Sequence, residues 1–389
     1  MGFAVLNLGC RVNRAESDLI TKKMSETDVL VPLEEADVIF VNTCTVTSTA
    51  EKKTRKTVRG VLEKNKQARV VVTGCAAEIS HDFYEGLSDR ISVVSKFDLI
   101  GNAPLPLDFG KNETSRVNVK IQDGCNNECT FCIVHVARGK SISTPKADVL
   151  RQCISLDEQG ACEIVLTGIN LGNYSDPSLA SLLEELLEKT NVCRFRISSI
   201  EPPEVTDELL HVIKNSEGRV CHHLHMPLQS GSNEILKQMN RHYSADEFRT
   251  ICNKIYDLMP DFSLSTDIIV GFPGESDGDF DDTLNLSRDV HFSKIHVFPY
   301  SKREGTPACY MENQVPDSVK KARAKELRDL NDELRRAEFM KRVGDSELVV
   351  TENNNKATTD SFFTIESPLF KTPGKLMNVK LTSDMFCEE

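Results

Sequence analysis

No uninterrupted apolar run in the 389 residues approaches the ~18 that a transmembrane helix needs, which excludes a helical membrane span. The opening residues, Met-Gly-Phe-Ala-Val-Leu-Asn-Leu-Gly-Cys, lack the basic segment of a secretory signal and read as a strand. Leu6 stands where N-myristoylation requires Ser or Thr, so no lipid anchor is expected. Internal repeats and low-complexity tracts are also missing. Positive charge is in short supply: 47 Lys and Arg face 59 Asp and Glu, a net charge of −12, which at face value argues against a nucleic-acid partner. Cysteine is not scarce, but its count of 13 is odd and the chain is far longer than a secreted disulfide scaffold. With no export signal, a reducing, cytoplasmic setting is expected, with thiols free or metal-bound.

What is present is a globular composition, 39% hydrophobic and 27% charged. The length allows two or three domains. The charge is unevenly placed. Residues 51–69 carry eight Lys and Arg (Lys52, Lys53, Arg55, Lys56, Arg59, Lys64, Lys66, Arg69) against Glu51 and Glu63, a local +6. Such a patch is either a directed nucleic-acid surface or simply a solvated helix face.

Residues 1–115 alternate short apolar strands with polar helical stretches: strands at 3–8, 38–41 and 70–73, helices at 16–25 and 50–66. That alternation predicts a parallel α/β sheet. Residues 101–115 mix Pro, Gly and polar residues and read as a linker. From residue 116 the alternation resumes. Strands are predicted at 117–121, 163–166, 194–200, 223–226, 263–270 and 294–298, and helices at 147–159, 179–189 and 207–215. About six βα units predict a complete or partial βα barrel, whose chemistry sits at the C-terminal ends of its strands. Residues 317–342 lack Gly and Pro and predict a long linking helix. Residues 343–389 have β character at 348–351, 362–365 and 376–381 and fit a small all-β domain.

The most informative stretch is Asp-Gly-Cys125-Asn-Asn-Glu-Cys129-Thr-Phe-Cys132, directly after the first strand of the barrel block. Its spacing places three thiols on one short loop with no nearby fourth ligand. Iron–sulfur clusters are usually held by four cysteines. A 4Fe–4S cluster held by three keeps one iron open, and an open metal position is where a substrate can bind.

Cys10, Cys44 and Cys75 form a second set. Each follows the end of a strand in one of three successive units, and strand C-termini in a parallel sheet share one edge. Turn residues (Gly9, Asn42-Thr43, Gly74) precede each cysteine, which favours convergence on a ligand over ordinary buried thiols. With no second Cys or His beside them, a three-thiolate cluster is preferred to zinc. The other cysteines (Cys153, Cys162, Cys193, Cys221, Cys252, Cys309, Cys387) show no ligand spacing and read as packing thiols. His222, His223 and His225 read as polar residues lining the barrel mouth rather than a metal cluster.

These residues resemble the radical S-adenosylmethionine (SAM) methylthiotransferases. Cys-x-x-x-Cys-x-x-Cys at Cys125–Cys132 is similar to the radical SAM signature, with Phe131 in the aromatic position. The trio Cys10, Cys44, Cys75 is similar to that family's second cluster site. The likeness continues through Leu-Thr-Gly-Ile-Asn (166–170), Arg-Ile-Ser-Ser-Ile-Glu-Pro (196–202), His-Leu-His-Met-Pro-Leu-Gln-Ser-Gly-Ser (223–232), Met-Asn-Arg (239–241), Thr-Asp-Ile-Ile-Val-Gly-Phe-Pro-Gly-Glu (266–275) and Phe-Pro-Tyr-Ser (298–301). It implies an α/β chain of three parts: an N-terminal parallel α/β methylthiotransferase domain (1–115), a radical SAM partial βα barrel with its linking helix (116–342), and a short C-terminal all-β TRAM-like domain (343–389). Leu-Gly-Cys-Arg-Val-Asn-Arg-Ala-Glu-Ser (8–17) resembles the branch acting on threonylcarbamoyl-adenosine in tRNA, Arg11-Val12-Asn13 with Glu16-Ser17 being the discriminating piece. Two features depart from the family. His135-Val136 stands where Pro-Tyr is usual, and residues 343–389 carry eight Asp and Glu against four Lys, where an RNA-gripping TRAM domain should be basic.

The resemblance implies two 4Fe–4S clusters, on Cys125, Cys129, Cys132 and on Cys10, Cys44, Cys75, with no catalytic side chain beyond these ligands. SAM serves as radical initiator and methyl donor, in contact with Phe131, Gly168, Asn170, Ser198, Ser199, Gln229, Asp267 and Phe298. The radical takes hydrogen from C2 of the adenine, and the second cluster presents the sulfur. The partners implied are a tRNA anticodon loop, whose bases can be splayed out, and a reductant such as flavodoxin or ferredoxin. Alternatives are a methylthiotransferase acting on isopentenyladenosine or on a ribosomal-protein side chain, and a non-enzymatic iron–sulfur RNA-binding module.

Overall fold

The computed structural model describes residues 1–100, 115–192 and 194–387. The expected linker at 101–115 lies outside the described residues except for Ser115, and so does Cys193.

Five strands, β1 (Gly2–Asn7), β2 (Val29–Leu30), β3 (Val38–Thr43), β4 (Arg69–Gly74) and β5 (Ile91–Val93), form a parallel sheet in the order β2-β1-β3-β4-β5. The central strands read Val-Ile-Phe-Val-Asn-Thr and Arg-Val-Val-Val-Thr-Gly. Near-continuous β-branched runs of this kind suit strands covered on both faces. Ile39, Val41, Val70 and Val72 bury one face against Val58 and Val61 of helix α2 (Ser48–Lys64). Phe3 and Phe40 bury the other against Ile20 of helix α1 (Arg11–Met24). The helix expected from residue 16 begins at Arg11, directly after Cys10, because nothing in Arg-Val-Asn-Arg-Ala breaks a helix. Cys75 opens the short helix α3 (Cys75–Ile79).

Strand β6 (Val117–Lys120) starts the second sheet. An antiparallel ribbon, β7 (Gln122–Asp123) with β8 (Ile142–Ser143), encloses the cysteine loop and helix α4 (Val134–Arg138). Then follow β9 (Glu163–Thr167), β10 (Arg194–Ile197), β11 (His223–His225), β12 (Ser263–Val270) and β13 (Lys294–Pro299). Pairing is parallel within β6-β9-β10 and within β11-β12-β13. Single bridges, Phe195–Val220 and Ser199–His225, join the halves. Among the described residues β6 and β13 do not pair, so the barrel is partial. Val119, Leu166, Phe195, Leu224 and Leu264 are inaccessible within one large core. Helix α1 packs beside β6, seating the N-terminal sheet on the barrel edge.

Helix α5 (Asp317–Met340) runs along β13, and Phe339 in its last turn joins the core of the last sheet. That sheet is antiparallel: β14 (Ser346–Thr351), β15 (Lys356–Thr359), β16 (Thr364–Glu366) and β17 (Leu376–Lys380), in the order β16-β15-β14-β17. Its dense acidity has a partner inside the molecule. Arg194 Nη1 and Nη2 donate to the carbonyls of Leu348 and Thr358, and Arg196 Nη1 and Nη2 donate to those of Asp360 and Thr359. Asp360 accepts from the amide of His222, and Glu352 pairs with Arg116 at 2.7 Å. This face of the sheet closes the N-terminal ends of the barrel strands. No helix among the described residues is long and apolar enough to cross a membrane.

Candidate active site

The cysteine loop leaves the C-terminal end of β6 through the ribbon. Gly124 has φ +69°, and a Cβ there would lie 2.0 Å from the carbonyl oxygen of Lys140. Only glycine lets the two arms of the ribbon approach so closely. The Cys125 amide then donates to the Gly139 carbonyl, closing the loop. Each sulfur receives an N–H: Asn127 N on Cys125 at 3.4 Å, Val134 N on Cys132 at 3.4 Å, and Arg241 Nη1 on Cys129 at 3.1 Å. Burial pushes all three thiols up, Cys132 to about 12. Charged thiolates therefore need these donors and a metal, and metal capture must release protons. Arg241 also pairs with Glu201 at 2.9 Å and lies on the Tyr243 ring. The loop is further pinned at Thr130, whose amide and hydroxyl donate to the carbonyls of Met239 and Gln238.

The second trio occupies the facing edge of the N-terminal sheet. Cys10 caps α1, Cys44 follows β3 and Cys75 follows β4. Gly74 has φ +89°, and a Cβ there would meet Asn42 Oδ1 at 2.3 Å. Burial raises Cys75 to about 11 and also raises Cys44, and Cys10 acts electrostatically on both. Asn13 braces the turn before Cys44: its Nδ2 donates to the Asn42 side-chain Oδ1 and to the Thr43 carbonyl, both at 2.9 Å.

One side chain links the second trio to the ribbon that carries the first. Arg138, at the end of α4, donates from Nε to Cys75 Sγ at 3.1 Å. Its Nη1 donates to Glu16 at 2.9 Å and Asp123 at 2.8 Å, and its Nη2 to Asn13 at 2.8 Å. Lys96 and Lys120 also bind Asp123, at 2.8 and 3.2 Å. Burial alone disfavours charge on Arg138, but Glu16, Cys75 and Asp123 outweigh it and hold the guanidinium charged. Burial likewise opposes Glu16, yet Arg138, Lys120 and Lys96 bring its pKa down to about 2. Arg138, Lys96 and Lys120 thus face Glu16 and Asp123, leaving one surplus positive charge beside Cys75. Two sets of three thiols, each met by N–H donors and one by a surplus cation, suit anionic iron–sulfur groups. Glu16 was singled out only as part of the stretch that marks the family branch, and none of Lys96, Lys120, Asp123, Arg138 or Arg241 was given a site role from the sequence. The available signal was Asn13 and Glu16, polar residues on the buried face of α1 at spacings of three from Cys10.

The remaining expected site residues spread along the strand ends. Gly168 packs where a Cβ would meet Leu171 at 2.7 Å, and Asn170 Nδ2 donates to Glu204 at 3.0 Å. Both therefore also have local structural work. Ser198 is buried with no partner for its hydroxyl, and Ser199 bridges to His225. Gln229 is buried at φ +68° and pairs with Ile268. Asp267 binds His225 Nε2 at 3.4 Å; burial opposes its charge, but His225 brings its pKa down. Phe298 is exposed at 37%, while Phe131 packs against the cluster of Ile235, Phe272 and Tyr300. His225, Asp267 and His296 lie close together, with ligand atoms within 4.8 Å of one another, and burial lowers His296 to about 4. The departure from the family at His135-Val136 falls on α4, where Val136 is exposed and Arg138 still turns inward.

A cavity of about 510 Å³ opens beside Cys10. Arg11, Arg14, Arg116 and Lys356 line it, with Glu352 the acid among its lining residues. Burial, then Arg116 and Arg196, lower Arg11 to about 10. The Arg11 and Arg196 guanidiniums lie over the Phe362 ring, 5.1 and 5.0 Å from its centre. Phe362 holds φ +69°, a strained turn that delivers its ring from the C-terminal sheet to this spot.

A partial βα barrel with a set of three thiols on the loop after its first strand, and a second set on the adjoining sheet, points to the class, and comparison with known proteins agrees. The family model described as the Radical SAM superfamily matches residues 119–287, and that described as Uncharacterized protein family UPF0004 matches residues 2–95. The fold is similar to that of the radical SAM methyltransferase TsrM from Kitasatospora setae, at TM-score 0.55 and 13% identity over 79% of this chain and 75% of that one. The chain is 38% identical to the threonylcarbamoyladenosine tRNA methylthiotransferase MtaB of Chlamydia pneumoniae, over 95% of this chain and 90% of that protein. It is 39% identical to the Bacillus subtilis protein of the same name, over 84% and 79%. It is also 36% identical to the tRNA-2-methylthio-N(6)-dimethylallyladenosine synthase of Endomicrobium trichonymphae, over 83% and 82%. The chain belongs to the radical SAM tRNA methylthiotransferases, and it is an enzyme. The non-enzymatic alternative is thereby set aside.

Proposed function

We propose that the enzyme converts N6-threonylcarbamoyladenosine, next to the anticodon of tRNA, into its 2-methylthio derivative. Cys125, Cys129 and Cys132 would hold one 4Fe–4S cluster and Cys10, Cys44 and Cys75 the second. Phe131, Gly168, Asn170, Ser198, Ser199, Gln229, Asp267 and Phe298 would line the SAM site. Such clusters and SAM, when bound, would supply radical chemistry, sulfur and a methyl group. The protein's part is to orient these groups and keep them dry. Arg241 and Arg138 stabilise thiolate charge at Cys129 and Cys75, and the buried network around Arg138 excludes water between the two loops.

The observation that carries this reading is the Arg138–Cys75 contact. A residue just beyond the cysteine loop donates to a sulfur of the other trio, which supports a reading in which the two sets of thiols serve one site. The threonylcarbamoyl substrate is supported by the similarity to the Chlamydia pneumoniae and Bacillus subtilis proteins. The chain would work in three parts (1–115, 116–342 and a TRAM-like 343–389) in the cytoplasm, with a flavodoxin or ferredoxin as reductant. The anticodon loop would lie against the exposed cations of α2. A second reading, isopentenyladenosine as substrate, is favoured by the likeness to the Endomicrobium trichonymphae protein.

Mass spectrometry of tRNA nucleosides from a strain lacking the gene separates the two. Loss of the 2-methylthio threonylcarbamoyl nucleoside, restored by the gene, is expected. Loss of the isopentenyl nucleoside instead would sink the first reading.

A further inference from the structure

We propose that Arg11 recognises a carboxylate on the substrate base, selecting a threonylcarbamoyl substituent over a neutral one. The inference rests on the substrate reading above and assigns it a residue. Arg14 pairs with Asp18 at 3.1 Å and Arg116 with Glu352 at 2.7 Å. Glu163, the acid that acts on Arg11, is held by Arg194 at 2.5 Å and Arg196 at 2.9 Å. Among the described residues the Arg11 side chain has neither an ion pair nor a hydrogen bond. It is a partly buried cation lining a cavity that also touches Cys10.

An unpaired cation drawn out of water is costly unless a ligand completes it. The Phe362 ring holds the guanidinium in place from one side. Its N–H groups have no hydrogen-bond partner among the described residues, and a guanidinium fits a carboxylate with two parallel hydrogen bonds. The reading above places the sulfur at Cys10, Cys44 and Cys75, and Arg11 directly follows the first of these. In the substrate the reacting carbon and the N6 substituent sit on one ring. A carboxylate at the end of that substituent can thus reach Arg11 while the ring faces the thiols. An isopentenyl group would leave Arg11 unpaired. An RNA phosphate is the other anion Arg11 could hold, and the test distinguishes the two.

The reconstituted full-length enzyme and its Arg11→Gln variant are compared on three anticodon stem-loops. One carries threonylcarbamoyladenosine, one its neutral methyl ester, and one unmodified adenosine. Charge-assisted hydrogen bonding predicts that the wild type loses about 10- to 100-fold in kcat/KM on going from acid to ester. Arg11→Gln should lose a similar factor on the acid and little on the ester, with unmodified stem-loop affinity retained. Weakened binding of all three RNAs alike would assign Arg11 to a phosphate and overturn the proposal. A wild type that modifies acid and ester equally overturns it too, while leaving the substrate reading intact. A wild type inactive on the threonylcarbamoyl RNA overturns both. Melting temperature and iron content of the variant separate misfolding from lost recognition, and a cycle in which the ester remains a substrate keeps the comparison decisive.

Discussion

Arg138 Nε lies 3.1 Å from Cys75 Sγ, across an interface that joins residues 63 positions apart. The same guanidinium satisfies Glu16 and Asp123, both buried. Removing Arg138 leaves Glu16 and Asp123 only Lys96 and Lys120, and Asn13 and Cys75 without their donor; breaking a buried ionic network typically costs ~3–5 kcal/mol. Arg138→Ala should therefore lower stability by about that amount in chemical denaturation. Arg138→Lys keeps the charge but has no fork to reach Cys75, Glu16 and Asn13 together, and should recover only part of the loss. An Arg138→Ala protein as stable as wild type would show that the network is not closed in solution.

Much of the fold was legible in advance. The strands at 263–270 and the helix at 179–189 match the structure because their patterns are long and unbroken. Short β2 and the ribbon β7–β8 were missed, since two-residue strands carry no period. The six cysteines were singled out by spacing and strand ends. The buried ions around them were not, because Glu16 and Arg138 are 122 residues apart and neither pattern nor charge reveals who meets whom. The acidic C-terminal segment looked like a poor RNA binder. The structure gives a different account: its Glu352 and Asp360 meet barrel arginines.

Glu163 tests that docking. It is inaccessible and holds both Arg194 and Arg196, which in turn donate to four carbonyls between Leu348 and Asp360. Burial opposes its charge, but Arg196 and Arg194 keep its carboxyl well below the usual range. Glu163→Gln should cost ~3–5 kcal/mol. It should also make residues 343–387 cleavable by trypsin at enzyme levels that leave the wild type intact. Unchanged proteolysis would mean that the arginines dock the C-terminal sheet without Glu163.

A pH dependence is built into Glu204. Burial raises its pKa to about 7; the Asn170 hydrogen bond opposes this and nearby Glu201 adds to it. An unfolded glutamate titrates near ~4.3. Between these values the folded state binds the extra proton, so this group's stabilisation is full below the lower value. It is lost as pH rises through about 7. Glu204→Gln should therefore melt closer to wild type at pH 5 than at pH 8, where the variant should be the more stable of the two. The opposite order would mean that Glu204 is ionised in the folded state at neutral pH.

The basic face of α2 was the charge signal for RNA in an acidic chain, and the structure leaves it exposed. Lys52, Lys53, Lys56 and Arg59 all face solvent, while Thr54, Val58 and Val61 turn inward. Arg55 is occupied by Glu51, which also binds Arg303 of the barrel at 2.8 Å. Ser48, at the start of the helix, hydrogen-bonds Ser301, just beyond β13. The cations are thus carried on a helix anchored to the barrel rim, near Cys44. Each phosphate they neutralise adds roughly 0.7–0.9 to the slope of log K against log salt. Replacing all four with Ala should flatten that slope for anticodon stem-loop binding by about two to four. Stability should barely move, since exposed positions typically change it by less than ~0.5 kcal/mol each. A salt titration by fluorescence anisotropy reads the slope directly. An unchanged slope with unchanged affinity would make the patch a solvated helix face and move the RNA contact elsewhere.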